Sequence, residues 1–327
     1  MQISFLTVFT AVLALAVLAV PGFLLAKFKM LPESAGGVLS TIVLYGSQPV
    51  MVFMSFQTKF RPDVAINMLY IAILAVIIHF AMFGIISLVI RNKSKSAKIA
   101  TVKYASLFSN CGYMGLPFLD IVFNGSGEII IYAAIVIAIF NIFNWTLGVY
   151  MLTGDKKTIS FKKVLVNPTI LGIILGALYF FIIGNPIVNL TVPNTTIDNI
   201  VQKVMASVDV IGDLVTPLSL TVIGIRLANV KFKALFTDKW AYVSVFMKLV
   251  VMSILTMIVV AFLPLEPVVK YVMFFLLSMP SATSTTMFSI KFGGDGDSAS
   301  VFVLLSTILS ILTIPLMFLL MNAIVPI

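Results

Sequence analysis

Ten long apolar stretches run through the chain, separated by short turns rich in charge or in Gly, Pro and Asn. They cover approximately residues 3–26, 36–56, 64–90, 99–123, 129–152, 168–187, 202–229, 240–263, 267–290 and 299–323. A helix needs about 20 mostly apolar residues to cross the hydrocarbon core, so each stretch predicts one membrane span. The first has no basic residue before it and no small-residue cleavage site, and reads as a helix rather than a secretory signal. No connection is long enough for a soluble domain. Residues 1–327 are expected to form one all-α polytopic membrane domain, with every functional group inside the bundle.

The two halves repeat at a fixed offset. The turn after the fourth span reads Phe123, Asn124, Gly125, Ser126, Gly127, Glu128, and the turn after the ninth reads Phe292, Gly293, Gly294, Asp295, Gly296, Asp297, an offset of 169. Pro49 and Pro217 lie centrally in the second and seventh spans, and His79 and Lys248 place a basic residue in the third and eighth. Units of about 1–155 and 165–327 with five spans each enter the bilayer from opposite sides. Such an inverted repeat is typical of secondary transporters with alternating access.

Within that repeat, two aligned segments weaken their helices. One is Ser109, Asn110, Cys111, Gly112, Tyr113, Met114, Gly115, Leu116, Pro117; the other is Ser278, Met279, Pro280, Ser281, Ala282, Thr283, Ser284, Thr285, Thr286. Gly and Pro lower helix propensity and Pro removes a backbone donor, while Ser, Thr and Asn supply side-chain partners. The fourth and ninth spans are therefore expected to unwind near 110–117 and 278–284. Matching interruptions point to a binding site, because half-helix N-termini favour anions. Asn110, Gly112, Gly115, Pro117, Pro280, Ser281, Thr283 and Ser284 are the candidates, with Asn141 and Asn144 on the adjoining face of the fifth span. Gly148 shares that face, and Ser306, Ser310 and Thr313 lie on the equivalent face of the tenth.

Composition narrows the function. Hydrophobic residues make up 61% and charged residues 10% of the 327 positions, against about 25% charged in soluble domains. One Cys and one His exclude internal disulfides, Cys-based zinc clusters and two-His metal motifs. No phosphate-binding G-x-x-x-x-G-K-[ST] motif is present, so no nucleotide drive is expected. The net charge of +9 is a topology signal rather than a nucleic-acid footprint. With the N-terminus outside, sixteen Lys and Arg fall in inner loops, among them Arg91, Lys93, Lys95, Lys156, Lys157, Lys162, Lys163, Arg226, Lys231, Lys233 and Lys291. Four fall outside: Lys59, Arg61, Lys203 and Lys270. The positive-inside rule then places both termini outside the cytoplasm, in the plasma membrane.

Three runs carry a family resemblance: Asn110-Cys111-Gly112-Tyr113-Met114-Gly115-Leu116-Pro117, Thr216-Pro217-Leu218-Ser219-Leu220 through Gly224, and Leu305-Ser306-Thr307-Ile308-Leu309-Ser310-Ile311 with Pro315. The chain resembles the auxin efflux carrier family, whose members include plant auxin exporters and bacterial malate and malonate permeases. The resemblance implies the ten-helix fold of bile-acid symporters and sodium/proton antiporters, in which the fourth and ninth spans cross at mid-membrane. It also implies a carboxylate substrate, a homodimer, and a substrate-site role for Asn110. The ninth span carries only Ser and Thr at the corresponding place, and the long loop of the plant exporters between the fifth and sixth spans is missing.

Ionisable residues inside a bilayer cost about 2.5 to 3.5 kcal/mol each on the insertion scale and call for a reason. Lys248 either compensates half-helix carbonyls or a substrate anion, or pairs with an aspartate. His79 is a proton carrier or a neutral packing residue. Asp209 and Asp213, four apart, share one face of the seventh span and could carry protons or a cation. No cofactor is expected, with proton or sodium coupling left open. A secondary carrier of a small organic anion accounts for these features, with a receptor or channel on the same fold as the alternative; an enzyme is not expected.

Overall fold

A computed structural model describes residues 3–32, 34–91, 96–193, 195–228 and 232–325. Lys93, Lys95, Lys231 and the Lys233 side chain, counted above for orientation, lie outside the described set. Among the described residues, twelve helices of seven residues or more form the body, α1 (Phe5–Lys27), α2 (Ala35–Ser55), α3 (Pro62–Val89), α4 (Ala97–Leu107), α5 (Cys111–Val122), α6 (Gly127–Thr153), α7 (Pro168–Ile182), α8 (Thr196–Ala228), α9 (Lys239–Ala261), α10 (Pro267–Ser278), α11 (Ser284–Lys291) and α12 (Gly296–Ile324). Among the described residues, eight helices are long and apolar enough to cross a membrane, and α5 and α10 are shorter apolar helices. The protein is a polytopic, membrane-embedded helical bundle.

Helix starts follow from local chemistry. Asn167 accepts from the backbone N–H groups of Thr169 and Ile170 ahead of Pro168, which as a first helical residue needs no donor. Asp295 caps α12 by accepting from Ser298 N at 2.9 Å, and Asp238 caps α9 by accepting from Trp240 N at 3.0 Å.

Without water to drive association, close packing depends on small residues. α1 crosses α8 where Gly22 and Gly224 face the partner backbone. A Cβ on Gly22 would lie 2.2 Å from the Thr221 oxygen, and one on Gly224 would lie 2.0 Å from the Ala19 oxygen. Gly172 gives the same closeness between α7 and α2, 2.6 Å from the Pro49 oxygen. α1, α2, α7 and α8 thus pack together, while α3, α4, α6, α9, α10 and α12 pack into a second group beside them.

Four π turns widen the long helices, at Val43–Ser47, Cys111–Gly115, Asn144–Gly148 and Met247–Val251. Two of them directly precede the prolines at Pro49 and Pro117. A proline ring crowds the carbonyl four residues back and supplies no N–H, and a widened turn absorbs both defects. This corrects the expected interruption at 110–117. Helix resumes at Cys111, so Gly112, Gly115 and Pro117 lie in helical backbone, and the non-helical segment is Phe108, Ser109, Asn110. The later interruption runs from Met279 to Thr283, within the expected range.

Candidate functional site

The two interruptions lie against each other. Phe108 leaves α4 in extended backbone at φ −88, ψ 120, and Met279 leaves α10 at φ −57, ψ 151. Ser109 and Ser281 form an isolated antiparallel bridge. Asn110 N donates to the Pro280 oxygen at 2.7 Å, and Ala282 N donates to the Phe108 oxygen at 2.9 Å. Side chains complete the set: Ser281 Oγ donates to the Ala105 oxygen at 2.9 Å, and Ser281 N donates to Ser306 Oγ at 3.1 Å. Backbone polar groups deep in a bilayer cost several kcal/mol when unsatisfied, and here each break supplies partners for the other.

Lys248, fully buried on the π turn of α9, donates from Nζ to the Leu277 oxygen at 2.6 Å, and Ser109 Oγ donates to the same oxygen at 3.0 Å. Leu277 sits in the last turn of α10, where the helix dipole is negative. Among the described residues no carboxylate forms an ion pair with Lys248. Of the two readings offered for it, the observed contact is with helix-end carbonyls, not with an aspartate.

Beside the breaks lies a cavity of about 850 Å³ including its open mouth. Asn110, Gly112, Thr283, Ser284, Asn141 and Asn144 all line it. Asn144 accepts a hydrogen bond from Tyr104, and Asn167 Nδ2 donates to Asn141 Oδ1 at 3.3 Å. Asn110 is 3% exposed, and its Nδ2 has no protein partner. A buried amide donor left open in a cavity wall is available to a ligand acceptor. Phe140, Trp145 and Phe288 form an aromatic wall. Lys163 and Lys291 stand 5.6 and 5.9 Å from the Trp145 ring centroid, so the cavity reaches toward the lysine-rich loops.

The other expected residues serve elsewhere. Gly115, Pro117, Pro280 and Ser281 are absent from the lining. A Cβ on Gly115 would lie 2.6 Å from Leu276, so that glycine permits close contact with α10. Pro280 and Ser281 hold the breaks together through the bonds above. Gly148 packs against the Tyr104 and Phe108 rings, and Ser306, Ser310 and Thr313 do not reach the cavity. His79 is buried, with Nδ1 2.7 Å from the Ala75 oxygen and its ring stacked on Phe143 at 5.0 Å. Asp209 and Asp213 share a face of α8, but that face is exposed and away from the cavity. Spacing along a helix fixes which residues face together, not which way they face.

Arg226 is the residue that sequence reasoning misplaced. Counted with the inner-loop cations, it instead occupies the last turn of α8, lines the cavity, and donates from Nη1 to the Thr283 oxygen at 2.7 Å. A signal was available: Arg226 continues the row of Ser219 and Ile223, both buried, at helical spacing.

Residues 7–318 match the family model described as membrane transport protein. The chain belongs to the auxin efflux carrier family of membrane transport proteins. No curated protein matches the sequence. The match runs from the first turn of α1 into the later turns of α12 and includes both breaks, and the family is one of membrane transporters.

Proposed function

We propose that this protein is a secondary carrier of a small organic anion, with the cavity beside the two helix breaks as its substrate site. In this reading α4 with α5, and α10 with α11, each make one span, giving ten spans in two inverted five-helix repeats whose broken members cross at mid-membrane. One group of helices, α3, α4, α5, α6, α9, α10, α11 and α12, then moves past α1, α2, α7 and α8 in an elevator-like alternation of access. The carrier sits as a homodimer in the plasma membrane with both termini outside the cytoplasm, driven by a solute gradient, the membrane potential, or coupled protons or sodium.

The observation that carries the reading is the open Nδ2 donor of Asn110 in a cavity wall made by both breaks. Residues at the N-terminal ends of α5 and α11, Gly112 and Ser284, lie in the same wall, and helix N-termini favour a carboxylate. The test is counterflow in proteoliposomes loaded with unlabelled mono- or dicarboxylates of two to eight carbons. A carrier accumulates the labelled acid transiently above equilibrium. Binding without exchange marks a receptor, and flux without transient accumulation marks a channel; either result rejects the carrier reading.

A further inference from the structure

Resting on the carrier reading, we propose that Arg226 is the counter-charge of the transported anion and restricts the site to substrates with a single negative group. Among the described residues that line the cavity, Arg226 is the one with a formal charge. Its neighbours offer neutral donors and acceptors: the asparagine amides, Ser40, Ser109, Gln48 and Tyr113. The lining also holds Ile137, Phe140, Trp145, Met287 and Phe288, apolar side chains whose one polar group is the Trp145 indole N–H.

The guanidinium has five N–H donors in a planar fork. Among the described residues its one hydrogen bond to the protein runs from Nη1 to the Thr283 oxygen at 2.7 Å. That bond anchors the head group beside the second break and leaves donors for a carboxylate. One carboxylate neutralises the site. A second would meet no second cation among the described lining residues, since Lys163 and Lys291 stand over the Trp145 ring but outside the lining, and the loss of its water would be costly. The bond to Thr283 also ties α8 to the break between α10 and α11, so the counter-charge bridges the two helix groups between which the cavity lies.

Three six-carbon probes that differ chiefly in charge test this directly: hexanoate, adipate and hexanamide, at neutral pH. Trp145 lines the cavity and the second tryptophan is Trp240, so quenching of Trp145 in a Trp240→Phe background reports binding to the full-length purified protein. The proposal expects hexanoate to bind at least tenfold more tightly than either adipate or hexanamide. In Arg226→Gln the preference for hexanoate over hexanamide should fall to about equal. Arg226→Lys, which keeps the charge and loses the fork, should retain the preference for hexanoate over adipate with weaker binding. Adipate binding as tightly as hexanoate to the unaltered site would overturn single-charge selection. Unchanged hexanoate affinity in a folded Arg226→Gln would overturn the counter-charge role while leaving the carrier reading intact. Failure of all three probes to bind would overturn the proposal, while the carrier reading falls only if counterflow with the two- to eight-carbon acids fails as well. Should Arg226→Gln fail to fold, the comparison of the three probes on the unaltered site still decides the question.

Discussion

The two helix breaks are built alike and braced differently. At the first, the Phe108 oxygen receives a backbone donor, Ala282 N, and the basic residue of that half, His79, turns away to the Ala75 oxygen in its own helix. At the second, the Leu277 oxygen, 169 positions further on, receives the Lys248 ammonium, the basic residue 169 positions after His79. One break is satisfied by a backbone N–H, the other by a buried lysine side chain. A lysine head group is accommodated where it meets the negative end of a half-helix, because the carbonyls there supply the partner that water would otherwise supply. The same position in the first half has no such contact, and the His79 imidazole, stacked on Phe143, fills it.

Lys248→Met strikes at that difference most strongly. It removes a hydrogen bond to a charged donor, worth about 1.5 to 3 kcal/mol, from the end of α10. Thermal unfolding in detergent should show a loss of that size, and counterflow should fall to background. Because the partner is a carbonyl and not a carboxylate, adding Asp213→Asn should restore neither stability nor flux. Rescue by the second substitution would mean that the contact at Leu277 is not what holds Lys248.

His79→Phe probes the first half. The ring stack on Phe143 survives the exchange, and the bond lost is to the carbonyl of its own helix. Individual polar contacts between buried groups in membrane proteins average about 0.6 kcal/mol, so the loss should stay below about 1 kcal/mol with flux retained. A variant that folds but no longer exchanges substrate would make His79 a participant in transport and erase the contrast with Lys248.

These contrasts also mark how far the sequence can be read. The apolar stretches locate helices within a few residues: 64–90 against Pro62–Val89, and 299–323 against Gly296–Ile324. The later break is legible at Pro280, where a proline lies in the interruption itself. The earlier one is displaced, since Gly112, Gly115 and Pro117 weaken the helix while the site of opening is set by the Pro280 oxygen and Ala282 N, which belong to a distant segment. Lys248 announces itself as a charge in an apolar span, yet its partner is a backbone carbonyl, and carbonyls leave no trace in a sequence. Asp209 and Asp213 satisfy the spacing rule and still face outward. Arg226 was hidden by its position: a cation at a span end resembles a topology signal until the neighbouring helices are in place.

The most direct test of the account is the equilibrium affinity of Asn110→Ala for the acid that gives the largest counterflow signal, measured alongside its thermal stability. Nδ2 of Asn110 has no partner in the folded protein, so its removal leaves no protein acceptor stranded. The account predicts a melting temperature within a few degrees of the parent, since no hydrogen bond from Nδ2 to the protein is lost among the described residues. It predicts at the same time an affinity at least tenfold weaker, the loss of one hydrogen bond to a charged group. Unchanged affinity in a stable Asn110→Ala would contradict the placement of the substrate at the paired breaks.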